Sequence, residues 1–243
     1  NLKFMFDKFK KNVFSQFGED GIIEELIKRL EIKNLEVCEF GAWDGKLYSN
    51  TFNLVKNFNA KAVYIEGDKG RFLDLKKTCL DYENITPINV NIEADPNSTK
   101  SLKNVLKSTS LNKKFDVLSI DIDSYDLEIW ENFEDYDPKI VVIEINSYYK
   151  PGVFKRHESK NPGCSFSSAL EVANNKNYTI ISHTGNCIFV KNEYIRKIKF
   201  DEKFIKNPSL LFNSGWIYGP FKKLKLFLIK KILNRTRFSK YND

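Results

Sequence analysis

The chain has 243 residues, 42% of them hydrophobic and 14% aromatic, which is enough to bury one sizeable core or two small ones. No stretch approaches the ~18 to 20 consecutive apolar residues of a membrane span, and the charged start NLKFMFDKFKKNVF is unlike a signal peptide. The net charge of +7 resides in the last stretch, where eight Lys or Arg face one Asp between Phe221 and Asp243; the body is neutral, which argues against a nucleic-acid surface on the main domain.

Four cysteines, Cys38, Cys79, Cys164 and Cys187, are scattered without a CxxC pair. That usage fits reduced thiols and a cytoplasmic protein rather than a disulfide frame or a zinc site.

In chain order the elements alternate. EDGIIEELIKRLEI carries apolar residues at helical spacing. LEVCEFGAWDG reads as a strand running into a glycine loop, TFNLVKNF as a helix, AKAVYIEGD as a second strand and GRFLDLKKTCL as a second helix. ITPINVNIE is a third strand, followed by the helical STKSLKNVLKST; FDVLSIDID is a fourth strand, followed by the helical LEIWENF; KIVVIEIN is a fifth. A long polar loop over 147–163 leads to the helix SFSSALEVANNKN, and YTIISHTGNCIFVKN reads as two strands around a tight TGN turn. The alternation predicts an α/β fold: a Rossmann-like, doubly wound, mostly parallel sheet with one antiparallel strand near the C-terminus. The domain is expected to span residues 1–205, with 206–243 as a basic amphipathic appendage whose FKKLKLFLIKKIL stretch suits an anionic membrane surface or a docked last helix.

In such sheets ligands sit at the carboxyl ends of the strands. Glu39, Gly41, Asp44 and Gly45 follow the first strand, and Glu66 ends the second, about 20 residues on, where a carboxylate holds a ribose diol. The GxGxxG pattern is absent, and an acid beside the glycine repels a pyrophosphate but suits a cationic cofactor. The combination points to S-adenosylmethionine, with Glu39, Gly41, Asp44, Glu66 and Asp121 as cofactor-binding candidates; the bland reading of the glycine loop is a solvated connection.

The fourth strand ends in Asp121 and Asp123, the fifth in Glu144 and Asn146. Strand periodicity puts each pair on one face, and hard oxygen ligands converging at a strand end suit Mg²⁺ or Mn²⁺. Three readings stay open: a metal held by Asp121, Asp123, Glu144 and Asn146; metal-free acid–base work by Asp121 or Asp123; or structural roles, with Asp123 capping the next helix. His183, at the end of the sixth strand, is a further candidate base or a hairpin histidine satisfied by backbone. The 147–163 loop, with Tyr148, Tyr149, Lys150, Lys155, Arg156 and His157, suits closure over an acidic or sugar-like acceptor, or is simply flexible.

The stretches SQFGEDGI, EFGAWDGKLYSNTFNL, YIEGD, SIDIDSYD, VVIEIN and GNCIFV together resemble the class I methyltransferases, and more narrowly the FkbM-type group, over roughly residues 14–192. The resemblance implies methyl transfer from S-adenosylmethionine to a natural-product or cell-surface sugar acceptor, with Glu39, Gly41 and Glu66 on the cofactor, and Asn50 and Asn53 as weaker candidates there. The acids of strands four and five are also similar to those of metal-dependent catechol-type O-methyltransferases. Two rivals remain: a glycosyltransferase whose DID holds a nucleotide-sugar's metal, and a binding module without a cofactor.

Overall fold

The computed structural model describes residues 5–213, and everything below concerns the compact unit that ends at Phe212. The basic segment from Phe221 to Asp243 lies outside the described residues. Among the described residues no helix is long and apolar enough to cross a membrane.

Seven strands form one sheet: β1 (Glu36–Phe40), β2 (Lys61–Glu66), β3 (Ile85–Asn89), β4 (Val117–Ile120), β5 (Ile140–Glu144), β6 (Tyr178–His183) and β7 (Asn186–Lys191). Their order is β3-β2-β1-β4-β5-β7-β6. β7 runs antiparallel to both β5 and β6, and the other neighbours are parallel. One reversed strand in an otherwise parallel sheet is the arrangement expected from the alternation. Its helices are α1 (Glu19–Leu30), α2 (Phe52–Phe58), α3 (Lys69–Asp81), α4 (Leu102–Leu106), α5 (Asp126–Glu131), α6 (Phe166–Asn175) and α7 (Glu202–Lys206).

The central strands are buried on both faces, which is why IVVI is a continuous apolar run and VLSI is broken only by Ser119, whose hydroxyl accepts the Asn50 amide. β3, at the sheet edge, is only partly buried. Two of the expected elements are shorter than their sequence patterns. β4 stops at Ile120 and β5 at Glu144, so Asp121, Asp123 and Asn146 lie on the loops beyond them and not on strand faces. At the C-terminal end the chain keeps packing past residue 205. Leu211 is buried, and the Phe212 ring stacks on His183 with centroids 4.9 Å apart.

Order within the sheet places the ligand edge. β1 to β3 wind one way and β4 onward the other, so the carboxyl ends of β1 and β4 form the switch point. Across it runs the segment before α1. Its anchor is Asp20, 1% exposed, whose Oδ2 accepts the backbone N–H groups of Val13 (2.8 Å), Phe14 (2.7 Å) and Ser15 (2.7 Å) and the Ser15 hydroxyl (2.8 Å). Removing that carboxylate orphans several donors at once. Asp20→Ala is expected to lower the free energy of unfolding by about 2–4 kcal/mol, read as a drop in urea midpoint with unchanged slope.

Candidate active site

At the switch point lies a cleft of ≈ 590 Å³, within the size range of small-molecule sites. The loops after β1 to β4, the end of β5 and the N-terminal segment line it.

The loop after β1 turns at Gly41, φ +78°, where a Cβ would lie 1.7 Å from the carbonyl oxygen of Asp121. Glycine is needed there for the approach of the β1 and β4 loops as much as for its backbone angle. The N–H groups of Gly41 and Ala42 both reach the Ile65 carbonyl at 3.1 Å. Trp43 and Tyr48 adopt left-handed conformations (φ 52° and 61°) and, with Leu47, present partly exposed apolar side chains to the cleft. The Arg71 guanidinium lies 4.3 Å from the Trp43 ring centroid. Bulky residues held at positive φ cost energy that the surroundings must supply, and such strain gathers at functional sites.

Glu66, 5% exposed, faces the cleft at the end of β2. Its Oε2 accepts the Trp43 N–H and its Oε1 the Asp68 N–H, both at 2.8 Å. Asp68 in turn caps α3 by accepting the Arg71 N–H. Glu39 also faces the cleft, but its carboxylate is committed to the start of α2: it accepts the Ser49 hydroxyl (2.7 Å), the Thr51 hydroxyl and the N–H groups of Thr51 (3.1 Å) and Asn50 (3.3 Å). Burial pushes its pKa up, and these hydrogen bonds oppose that. Asp44 departs from the expected role. Its Oδ1 folds back onto the N–H groups of Lys46 and Leu47, and among the described residues it does not line the cleft. Asn50 and Asn53 likewise turn inward, to the Ser119 hydroxyl and to Glu24.

After β4 the chain turns sharply, with Asp123 at φ 58°. Asp126, not Asp123, ties this loop to α5: its carboxylate accepts the N–H groups of Ile122 and Ser124, both at 2.8 Å. That leaves Asp121 and Asp123 facing the cleft, where they meet Glu144, with ligand oxygens within 4.8 Å of one another. Burial first, then Asp126 and Asp123, raise the pKa of Asp121. Burial first, then Asp121, Asp123 and Asp126, raise that of Glu144, which donates a hydrogen bond to Asp121. Three acids at one point without a cation cannot all ionise freely.

Asn146 does not join them. Its Nδ2 donates to the Pro162 carbonyl (3.1 Å) and its Oδ1 accepts the Tyr148 N–H (3.2 Å), closing the base of the 147–163 loop. That loop leans on α5: Arg156 makes a two-pronged contact with Glu131 (2.7 and 2.9 Å), and the rings of His157 and Tyr125 lie 4.5 Å apart. Among the described residues none of it lines the cleft.

His183 is a correction to the sequence-based expectation. It is 1% exposed, flanked by the Phe166 and Phe212 rings, with Nε2 2.9 Å from the Ser147 hydroxyl. Burial, with a smaller contribution from Lys10, pushes its pKa down to about 3, so it is neutral and sealed from the cleft. Conversely, Gln16 and Arg71 line the cleft, and neither is a candidate that the sequence pattern offers for it. Gln16 sits in SQFGED, whose pattern carried the resemblance but no chemistry.

No protein-family model matches the chain, and no curated protein does. Solved structures of similar fold include TrmK of M. capricolum in complex with S-adenosylhomocysteine, at 17% identity and a TM-score of 0.44, covering 86% of this chain and 85% of that one. Another is a SAM-dependent methyltransferase from Aquifex aeolicus, at 12% identity and a TM-score of 0.43, covering 69% and 87%. The strand order, with its single reversed strand, is the Rossmann-like arrangement of the class I methyltransferase fold.

The acid cluster has a pH signature. Asp121 and Glu144 hold protons more tightly when folded than at their ordinary values of 3.8 and 4.5. The folded chain therefore binds more protons than the unfolded one, and this contribution to stability is lost as pH rises through the raised values. Glu144→Gln mimics the protonated form. With a chelator present, its thermal midpoint is expected to gain on the parent chain as pH increases from about 5 to about 8; a constant difference would count against the cluster.

Proposed function

We propose that the protein is an S-adenosylmethionine-dependent methyltransferase of the FkbM type acting on a small-molecule or glycan acceptor, at oxygen. The observation that carries this reading is Glu66, buried at the end of β2 and facing the cleft at the switch point. Both of its oxygens are already fixed by backbone N–H groups, and each retains a lone pair for a ribose hydroxyl. Charge supports the choice of cofactor. Among the described residues lining the cleft, Glu39, Glu66, Asp68, Asp121, Asp123 and Glu144 face one guanidinium, that of Arg71. Such a site favours a sulfonium and repels the diphosphate of a nucleotide sugar.

In this reading the acceptor oxygen attacks the methyl carbon in line as the carbon–sulfur bond breaks, and the bond's electrons return to sulfur, giving the neutral thioether. Positioning does much of the work. The acceptor's proton passes to Asp121 or Asp123. Burial, and after it the neighbouring charges of Asp126 and Asp123, raises the pKa of Asp121 to about 7, which makes it a better base than a solvated carboxylate. Asp121, Asp123 and Glu144 also fit a divalent cation, as an all-oxygen donor set; Asn146 does not, its amide being engaged in the loop. Bound there, Mg²⁺ or Mn²⁺ would lower the acceptor hydroxyl's pKa. Contact of the basic 221–243 segment with an anionic membrane surface belongs to the same reading and is supported by its eight Lys or Arg.

Calorimetry with S-adenosylhomocysteine and with nucleoside diphosphates tests the assignment. The first is expected to bind and the second not; the reverse result would favour the glycosyltransferase, and neither binding a module without a cofactor. Glu66→Gln should weaken S-adenosylhomocysteine by about 1–3 kcal/mol. Asp123→Asn should leave that binding in place and abolish methyl transfer. Loss of activity on chelation, restored by Mg²⁺ or Mn²⁺, would assign the acid cluster to a metal, whereas activity that survives chelation would assign it to proton transfer.

A further inference from the structure

The segment before α1 crosses the acid half of the cleft as a fixed strap. At one end the Phe14 ring packs edge-on against Phe52, centroids 4.7 Å apart, at the start of α2. At the other end the Phe17 ring packs against the β6–β7 turn, where a Cβ on Gly185 would come within 2.5 Å of it. Glu19, fully buried, locks this end: Oε2 accepts the Phe17 N–H at 2.8 Å, and Oε1 accepts the Thr184 hydroxyl and the Asn186 amide (3.3 Å). Asp20 holds residues 13–15 from within. Asn186 is the register partner of Glu144, so the strap spans from the β1 side of the switch point to the β5–β7 side, over the ends of β4 and β5.

Between its pinned neighbours Ser15 and Phe17, Gln16 alone of the strap lines the cleft. Among the described residues no hydrogen bond engages its side-chain amide, although its backbone carbonyl accepts the Asn12 amide at 3.0 Å. A fixed backbone thus holds an exposed neutral amide at the rim of the cleft that Asp121, Asp123 and Glu144 also line.

We propose that Gln16 binds the carboxylate of the cofactor's amino-acid end, an inference that rests on the S-adenosylmethionine reading above. With the ribose on Glu66, the nucleoside lies toward β2 and β3, and the amino-acid end extends to β1 and β4 beneath the strap. That end carries an ammonium, which the acids accept, and a carboxylate, which they repel. Arg71 stacks on Trp43 in the first turn after β2, on the nucleoside side. On the acid side the neutral donors lining the cleft are the Gln16 amide and the Ser124 hydroxyl, and of the two only Gln16 stands on the strap, apart from the acids' own loop.

The test compares two probes on the full chain: S-adenosylhomocysteine, and 5′-methylthioadenosine, which lacks the amino-acid end. Gln16→Ala is expected to weaken S-adenosylhomocysteine about tenfold or more, the effect of losing a charge-assisted hydrogen bond, and to leave methylthioadenosine unchanged. Gln16→Glu should weaken the first probe further by repulsion. Equal affinity of S-adenosylhomocysteine for the parent and Gln16→Ala, or equal losses for both probes, overturns the proposal. Failure of the parent chain to bind S-adenosylhomocysteine overturns the cofactor reading itself, and this inference with it.

Discussion

The cleft depends on how buried carboxylates are matched to backbone N–H groups. Glu39 holds the start of α2, Glu66 holds Trp43 and Asp68, Asp126 holds the turn after β4, and Asp20 holds the strap. Each satisfies donors that a loop at a sheet edge would otherwise leave unpaired, at the cost of burying a charge. Because these four acids are committed to architecture, Asp121, Asp123 and Glu144 stand apart: among the described residues no backbone N–H engages their side chains. The contrast between committed and uncommitted acids, more than the number of acids, marks where chemistry is to be sought.

The order of elements was legible because each helix and strand carries its own period and each is bounded by polar or glycine-bearing connections. The alternation of strands with helices pointed to a sheet covered on both faces, and the TGN turn to the reversed strand. Element ends were less legible. The sequence pattern runs on through Asp121 to Asp123, yet the strand stops at Ile120 and Asp123, itself left-handed, turns toward the cleft. Asp121 and Asp123 do meet Glu144, but through a turn and not through strand periodicity.

The misplaced residues share a cause. Asp44 and Asn146 are short polar side chains in tight loops, and both hydrogen-bond to nearby backbone, as such side chains favour doing. His183 sits at a strand end on the right edge of the sheet, but α6 and the segment reaching Phe212 cover it with aromatic rings. Coverage by sequence-distant elements leaves no local trace. Trp43 and Arg71 were obscure for the same reason: their stacking depends on the spacing of two different βα units.

Electrostatics also orders the reaction that such a cleft favours. In the proposed methyl transfer the substrate cofactor carries a sulfonium charge and its product does not, so a site lined by acids would hold the substrate more firmly than the thioether left behind. On the same proposal the acids would disfavour an anionic acceptor at the transfer point and favour a neutral hydroxyl that gives up its proton as the methyl arrives. Once a carboxylate takes that proton, the local negative charge falls together with the positive charge on sulfur. On that reading cofactor and acid cluster would be neutralised in the same step, and the repulsion among Asp121, Asp123 and Glu144 would be relieved both when the sulfonium binds and when the acceptor's proton arrives.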